Sequence, residues 1–450
     1  MTPHAHGGTR ATAAGLCLAL FVAYNANGRE IGSYDSLPTK LAAREFLLRG
    51  TLKLNYAVGA LPELAQRWGF VLGKDGSYRS VYSPAPSIIA AGLTWPFSKS
   101  GIVNLRAPRA PALMAKATAS LLVALAAALA FISARQRLPQ GRALFLAIGL
   151  ALGTGYWYMA SQTLWQTETA VLGLALAVAA FAAPRDLVNI RAAIAIGAGL
   201  GLAAVARPQL APLVAVLLAG TWVRAPLRTA LVATAITLAF GIALGAANLR
   251  WFGDPRGAQA WLQDVNARIH GTRSMFVAEP GGFIGLLVSP SRGLIVFSPV
   301  VLVAFAGVPR AFKEGWRSPL PWCALAIASQ YVLYGSYAVW WAGHTYGPRY
   351  LVDVLPVAVP LAAVAMSAPR PGRVARIAAG AALAWSIGVA AVGAFCYPHG
   401  QWNSQPTDVD RDHSRLWSVS DNQIARTLAA GLSPQNFRLF NPASIRVVPE

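Results

Sequence analysis

Apolar runs of about 20 residues, separated by short polar connections, set the rhythm of the chain. Within runs such as 120–132 and 192–206, Ala, Gly, Leu, Val and Ile follow one another with almost no polar face. A helix apolar all round is not the one-sided helix of a soluble bundle. The pattern therefore predicts an all-α polytopic membrane protein.

Short connections rich in Arg and Lys belong on the cytoplasmic side. Clusters at Arg135/Arg137/Arg142, Arg185/Arg191, Arg224/Arg228, Arg310/Lys313/Arg317 and Arg370/Arg373/Arg376 fix the parity. About eleven transmembrane helices result: 11–27, 111–133, 143–160, 164–183, 192–206, 209–223, 229–247, 291–308, 319–339, 351–367 and 377–395. The first is read as a retained helix, since no small-residue cleavage site follows it. This gives a bundle over 1–395 with outer loops at 28–110 and 249–290, and a short outer tail over 396–450.

Two features of the first outer loop are helical. One begins near Leu37-Pro38, Pro being well placed at a helix start. There Leu41, Phe46, Leu47 and Leu48 alternate with Lys40, Arg44, Glu45 and Arg49, the pattern of an amphipathic surface helix. The other, 83–97, is apolar but interrupted by Pro84, Pro86 and Pro96. As a span it would put every later basic cluster on the wrong side, so it is expected to lie in the outer interface or to dip back.

Composition agrees with this class: 55% of residues are hydrophobic and 12% charged, against roughly 25% charged in soluble domains. The net charge of +21 is mostly topology, with some affinity for anionic lipid or phosphate. No nucleic-acid motif accompanies it, and nucleic acid is not an expected partner. Cys17, Cys323 and Cys396 form no disulfide framework. His270, His344 and His399 are dispersed without metal-ligand spacing, and neither a Walker A loop nor a dinucleotide fingerprint occurs.

Chemistry gathers at the outer turns. Directly behind the first span lies Arg29-Glu30-Ile31-Gly32-Ser33-Tyr34-Asp35. There Asp35 suits a general base taking the proton of an acceptor hydroxyl; it suits equally a cap for the helix starting near Pro38. Glu168 stands at the outer start of the fourth span, and ionisable groups at membrane depth tend to be functional. It would orient an acceptor or share a divalent metal with Asp35, or else simply face water. Arg207 in Arg207-Pro208-Gln209 and Arg349 in Gly343-His344-Thr345-Tyr346-Gly347-Pro348-Arg349-Tyr350 offer guanidinium forks for phosphate, or snorkel to the interface. Arg292, in Ser289-Pro290-Ser291-Arg292-Gly293, opens the eighth span, either as an anion site at a helix start or as a lipid-facing residue of a capped entry. Lys40, His344 and Tyr346 complete the candidate substrate-binding set. The Trp and Tyr residues at these turns (Tyr156, Trp157, Tyr158, Trp165, Trp340, Trp341, Tyr346, Tyr350) read mainly as an interfacial belt, with a few placed to stack on sugar.

Together these residues resemble the GT-C superfamily of membrane glycosyltransferases, nearest the branch of protein O-mannosyltransferases and bacterial aminoarabinose transferases, over roughly 20–360. The likeness rests on Ile31-Gly32-Ser33-Tyr34-Asp35 followed by an amphipathic helix, and on the Pro-rich Tyr82-Ser83-Pro84-Ala85-Pro86-Ser87 before the second span. It rests also on Glu168 at an often acidic position, and on the blocks 286–294 and 340–350. The resemblance implies an enzyme of the inner (plasma) membrane that moves a sugar, with inversion, from a polyprenyl-phosphate carrier to an extracytoplasmic lipid, polysaccharide or protein. Asp35 would be the base, Glu168 its acidic helper and Arg349 a ligand of the donor phosphate. The chain departs from the family in its lone Asp35, where several members carry an acidic pair, and in its short tail. Metal dependence and acceptor type stay open. Two other classes compete: a flippase for a lipid-linked glycan, which needs no base, and a non-catalytic envelope-assembly protein. No clear internal repeat favours transport.

Overall fold

The computed structural model describes residues 3–184, 188–269, 271–272, 274–367 and 372–440; Arg185, Asp186, His270 and Arg370 lie outside the described residues. The chain enters through α1 (Pro3–Asn25) and then builds a capping layer from α2 (Leu37–Arg49), α3 (Asn55–Ala60), a hairpin of β1 (Phe70–Leu72) with β2 (Tyr78–Ser80), and α4 (Ala85–Lys99). The bundle continues with α5 (Ala110–Arg135), α6 (Gln140–Leu152), α7 (Thr167–Phe181), α8 (Ile190–Ala206), α9 (Ala211–Arg224) and α10 (Leu227–Phe252). A second capping segment holds α11 (Gln259–Ile269), α12 (Pro280–Val288) and α13 (Leu294–Phe297). The bundle closes with α14 (Leu302–Lys313), α15 (Leu320–Gly335), α16 (Leu355–Met366) and α17 (Arg373–Phe395), and the tail adds α18 (Gln423–Ala429).

Each predicted span thus meets a helix, but not every span is one unbroken helix. The predicted 143–160 stops at Leu152, and Tyr156–Ala160 forms a separate π-helical turn. The predicted 291–308 breaks at Ser298, whose ψ of 61° leaves the helical region; the residue before a proline, here Pro299, is pushed out of it sterically. Among the described residues α5, α10 and α17 are long and apolar enough to cross a membrane. Apart from α1, with 23 residues, the remaining helices are shorter: α16, with 12 residues, is about 18 Å long at 1.5 Å per residue. The fold is predominantly helical; the reading as eleven spans is not established by it.

Three further expectations change. The all-α reading omitted the hairpin, whose strands are three residues each and too short to carry a readable alternation. The helix α2 is not a simple surface helix: Thr39, Leu41, Ala42, Ala43 and Glu45 are buried while Phe46 is exposed. Ala43 meets Ala90 of α4 and Met114 and Ala115 of α5, so the helix is clasped from more than one side. The aromatic residues at the turns are mostly core rather than belt. Tyr156, Tyr158, Trp165, Trp340, Trp341 and Tyr346 are all buried: Tyr156, Tyr158, Trp165 and Tyr346 belong to the core of the bundle, and the tail folds back to place Trp402, Val409 and Leu416 against Trp340 and Trp341.

Close packing explains some of the glycine content. A Cβ on Gly173 would lie 2.6 Å from the Gly199 carbonyl oxygen, so α7 and α8 approach at backbone distance.

Candidate active site

The site is built on one segment, 161–168, which leads out of the π-helical turn into α7. Asn27 and Lys116 both donate to Gln162 Oε1, at 2.8 and 2.6 Å. The Gln162 carbonyl accepts from the Ile31 amide at 3.3 Å. The Thr163 hydroxyl donates to Glu30, and Lys40 Nζ reaches both Glu30 oxygens at 2.8 and 2.7 Å. These bonds pin the polar loop that carries Asp35 onto the end of the bundle.

Asp35 does not cap α2: Ser36 occupies the cap position and makes no side-chain cap bond. The Asp35 carboxylate instead accepts from Arg349 Nη1 at 2.9 Å, with side chains 22% and 12% exposed, so the pair is sheltered yet reachable. The Arg349 guanidinium lies over the Trp165 ring at 4.3 Å, a cation–π contact that fixes its plane. Arg349 Nε is buried and has no partner. Along the adjoining segment the same is true of Trp165 Nε1, Gln166 Nε2 and Glu168 Oε2. Unpaired buried polar atoms are uncommon and costly. Four on two segments that meet at the Trp165–Arg349 stack point to a ligand that completes them.

Glu168 is fully buried, and its Oε1 accepts from Thr169 Oγ1 at 3.5 Å. No cation forms an ion pair with it among the described residues. Arg207 is spoken for: Nη1 donates to Thr167 Oγ1 at 2.7 Å and lies 3.0 Å from Asp353 Oδ2. Burial lowers the Arg207 pKa, but the adjacent Asp353 carboxylate outweighs it and the value is raised. Tyr334 donates to the same carboxylate at 3.0 Å and stacks on Tyr350 at 4.6 Å. Buried and paired through Nη1, this Arg207 is not an interfacial snorkelling residue.

Arg292 has a different employment from either expected one. Its five N–H groups go to the carbonyls of Trp341, Ser291 and Gly343 and to the side-chain oxygens of Gln423 and Asn403. A guanidinium has five donors, so none is left for a ligand; Arg292 ties the tail to the turn at 340–350. Tyr346 is packed between Tyr158 and Phe297, each 5.2 Å away, and donates to the Val389 carbonyl at 3.1 Å. Gly393 makes room for it, since a Cβ there would fall 2.5 Å from the Tyr346 ring. Lys40 serves Glu30.

His344 pairs with Asp408 Oδ1 at 2.9 Å and lies 3.6 Å from Asp410 Oδ2. These three offer ligand atoms within 4.8 Å of one another, a grouping able to hold a metal ion. Sequence spacing could not reveal it, because the tail returns to His344 only in the fold. Asp35 and Glu168, considered as a shared metal site, are not part of it.

Sequence reasoning missed Asp353, which it placed inside a span, and left Glu30 and Lys116 without roles. For Asp353 the available signal was a carboxylate placed inside an otherwise apolar predicted span. Next to this region an apolar cavity of about 330 Å³ opens between α14, α15 and α16, lined by Phe305, Tyr331, Leu351, Val354 and Leu355 among others. Leu351 stands two residues beyond Arg349.

The site is thus a carboxylate–guanidinium pair held at the end of a helical bundle by capping loop helices. No family model matches the chain, and no curated protein matches it in sequence. Among solved structures, it is similar to the crystal structure of ArnT from Cupriavidus metallidurans bound to undecaprenyl phosphate. The TM-score is 0.50 at 15% identity, over 87% of this chain and 66% of that one. The apo state of the same ArnT gives a TM-score of 0.48 at 14% identity, over 92% and 68% of the two chains. The likeness is one of fold, and the chain spans just under two thirds of the length of the lipid-bound ArnT.

Proposed function

We propose that this chain is an inverting membrane glycosyltransferase that takes a sugar from a polyprenyl-phosphate carrier on the extracytoplasmic face. The observation that carries the reading is the Asp35–Arg349 pair, with its unpaired Arg349 Nε held over Trp165. The fold likeness to an ArnT bound to undecaprenyl phosphate supports the choice of carrier.

In this reading the donor phosphate enters beside Arg349 and the start of the isoprenoid chain lies in the apolar cavity behind Leu351. A phosphate oxygen competes with Asp35 for the guanidinium, since Arg suits phosphate bidentately. Asp35, released, accepts the proton of the acceptor hydroxyl as its oxygen attacks the anomeric carbon. The bond from that carbon to the phosphate oxygen breaks, and Arg349 stabilises the charge that develops on the leaving phosphate. Glu168 orients the acceptor from the far side of the Trp165 segment. Arg292 and Tyr346 support the scaffold rather than touching substrate, and Arg207 holds Asp353 beneath the site.

Mass spectrometry of envelope glycans and glycolipids in a deletion strain tests the reading. Loss of one sugar mass, with accumulation of the polyprenyl-phosphate sugar, is the expected result. An unchanged envelope profile overturns it.

A further inference from the structure

A second cavity, of about 660 Å³, lies between the capping layer and the end of α10 and shares no lining residue with the Asp35 site. Its polar wall is Thr51, Lys53, Asp75, Arg79 and Arg250, and Trp251 forms part of the floor. The tip of the hairpin closes it, with the Lys74 amide donating to the Trp251 carbonyl at 2.8 Å.

Its charge is unbalanced. Three cations face one carboxylate: Asp75 Oδ2 lies 3.2 Å from Lys53 Nζ and 2.8 Å from Arg79 Nη2, while Arg250 has no ion pair among the described residues. Arg79 is 7% exposed, packs on the Trp251 ring at 4.9 Å, and its buried Nε has no partner. A guanidinium that is buried, excess in charge and left with a free donor is a place for an anionic oxygen group.

The floor of the cavity continues into an apolar stripe. Leu238, Ile242 and Leu249 are all more than half exposed on α10, and Ala246 lines the cavity between them. Spacings of four, four and three residues put these positions on one helix face. A cationic pocket at the head of an exposed apolar stripe has the form of an amphiphile: a charged head above a hydrocarbon body.

We propose that this cavity binds a phosphate group, as carried by the headgroup of an anionic membrane lipid, with Arg79 and Arg250 as its principal ligands. Its tail lies along the Leu238–Leu249 face of α10. The site is separate from donor chemistry and stands whether or not the transferase reading does.

Native mass spectrometry of the full chain from bilayer discs of mixed phosphatidylglycerol and phosphatidylcholine tests it. The wild type is expected to retain one phosphatidylglycerol that phosphatidylcholine does not replace, and Arg79→Gln and Arg250→Gln to lose it. The Arg250 variant, at an exposed residue with no ion pair among the described residues, separates lost binding from lost folding. A parallel titration with inorganic phosphate distinguishes the sources. Displacement of the lipid by phosphate supports a site for the phosphate group itself; retention of the lipid against phosphate supports a site for the whole headgroup and tail. Phosphate binding that Arg79→Gln abolishes, with no lipid retained, supports the anion site and assigns it to a soluble phosphate. Retention of phosphatidylglycerol by all three proteins alike, or binding of neither probe by the wild type, overturns the proposal.

Discussion

Asp35 and Arg349 stand 314 residues apart in sequence and share a hydrogen bond of 2.9 Å at the end of the bundle. The pairing makes the carboxylate's freedom depend on what else the guanidinium binds. In the proposed reaction, an anion that takes Arg349 releases Asp35, which would make donor arrival and base availability one event. Replacing Arg349 with Gln removes the charge-assisted bonds, each worth roughly 1.5–3 kcal/mol. Binding of undecaprenyl phosphate, measured by titration in bilayer discs, is expected to weaken at least about tenfold. Arg349→Lys should recover only part of this, because a point charge cannot make the bidentate fork. Wild-type affinity in Arg349→Gln would remove the phosphate role.

Glu168 is buried with one oxygen unpaired. A Gln of the same shape keeps the packing but loses the carboxylate. Transfer by Glu168→Gln, at saturating donor, is expected to fall by about 10²-fold or more, within the usual range for a positioned acid or base, with donor affinity little changed. A wild-type rate would leave Glu168 a packing residue.

The Arg207–Asp353 bridge has side chains 8% and 0% exposed. Removing one member leaves the other charge stranded, which costs about 3–5 kcal/mol, whereas replacing both with apolar groups is often neutral. Asp353→Leu should therefore unfold at clearly lower temperature by circular dichroism, and adding Arg207→Met should restore most of the loss. Equal destabilisation by the single and double variants would contradict a simple buried pair.

The tail is held partly by Asp408. Burial tends to raise its pKa, but the hydrogen bonds from His344 and the Asp410 amide outweigh burial and lower it. A carboxyl depressed in the folded state stabilises above its unfolded pKa of about 3.9 and loses that contribution as pH falls through the folded value. Acidification across this window should loosen the tail in the wild type, seen as faster proteolysis near 396–440. Asp408→Asn should be loosened already at neutral pH and change less with acid. An identical acid response in both proteins would remove Asp408 from the account.

The helices were legible because membrane spans announce themselves: α5 and α17 fall on the predicted 111–133 and 377–395 with small shifts at their ends. The breaks were less so. The residue before Pro299 carried its signal inside an apolar run that overrode it. In the site, Asp35 and Arg349 were each readable as candidates by type and sidedness, but their contact was not, since no local spacing encodes a pairing across the whole chain. Arg292 illustrates the reverse. Its guanidinium looked available for phosphate, and only the returning tail shows that Gln423 and Asn403 take its donors. The same tail buries aromatic residues that a surface reading would give to the interface.

The central claim is that Asp35 is the proton acceptor of a sugar transfer. It is tested most directly by complementing a deletion strain with wild type or Asp35→Asn at matched abundance, and weighing the envelope glycans and glycolipids by mass spectrometry. The account predicts that only wild type restores the missing sugar mass, while the purified Asp35→Asn protein still binds undecaprenyl phosphate. Full restoration of that sugar by Asp35→Asn would contradict it.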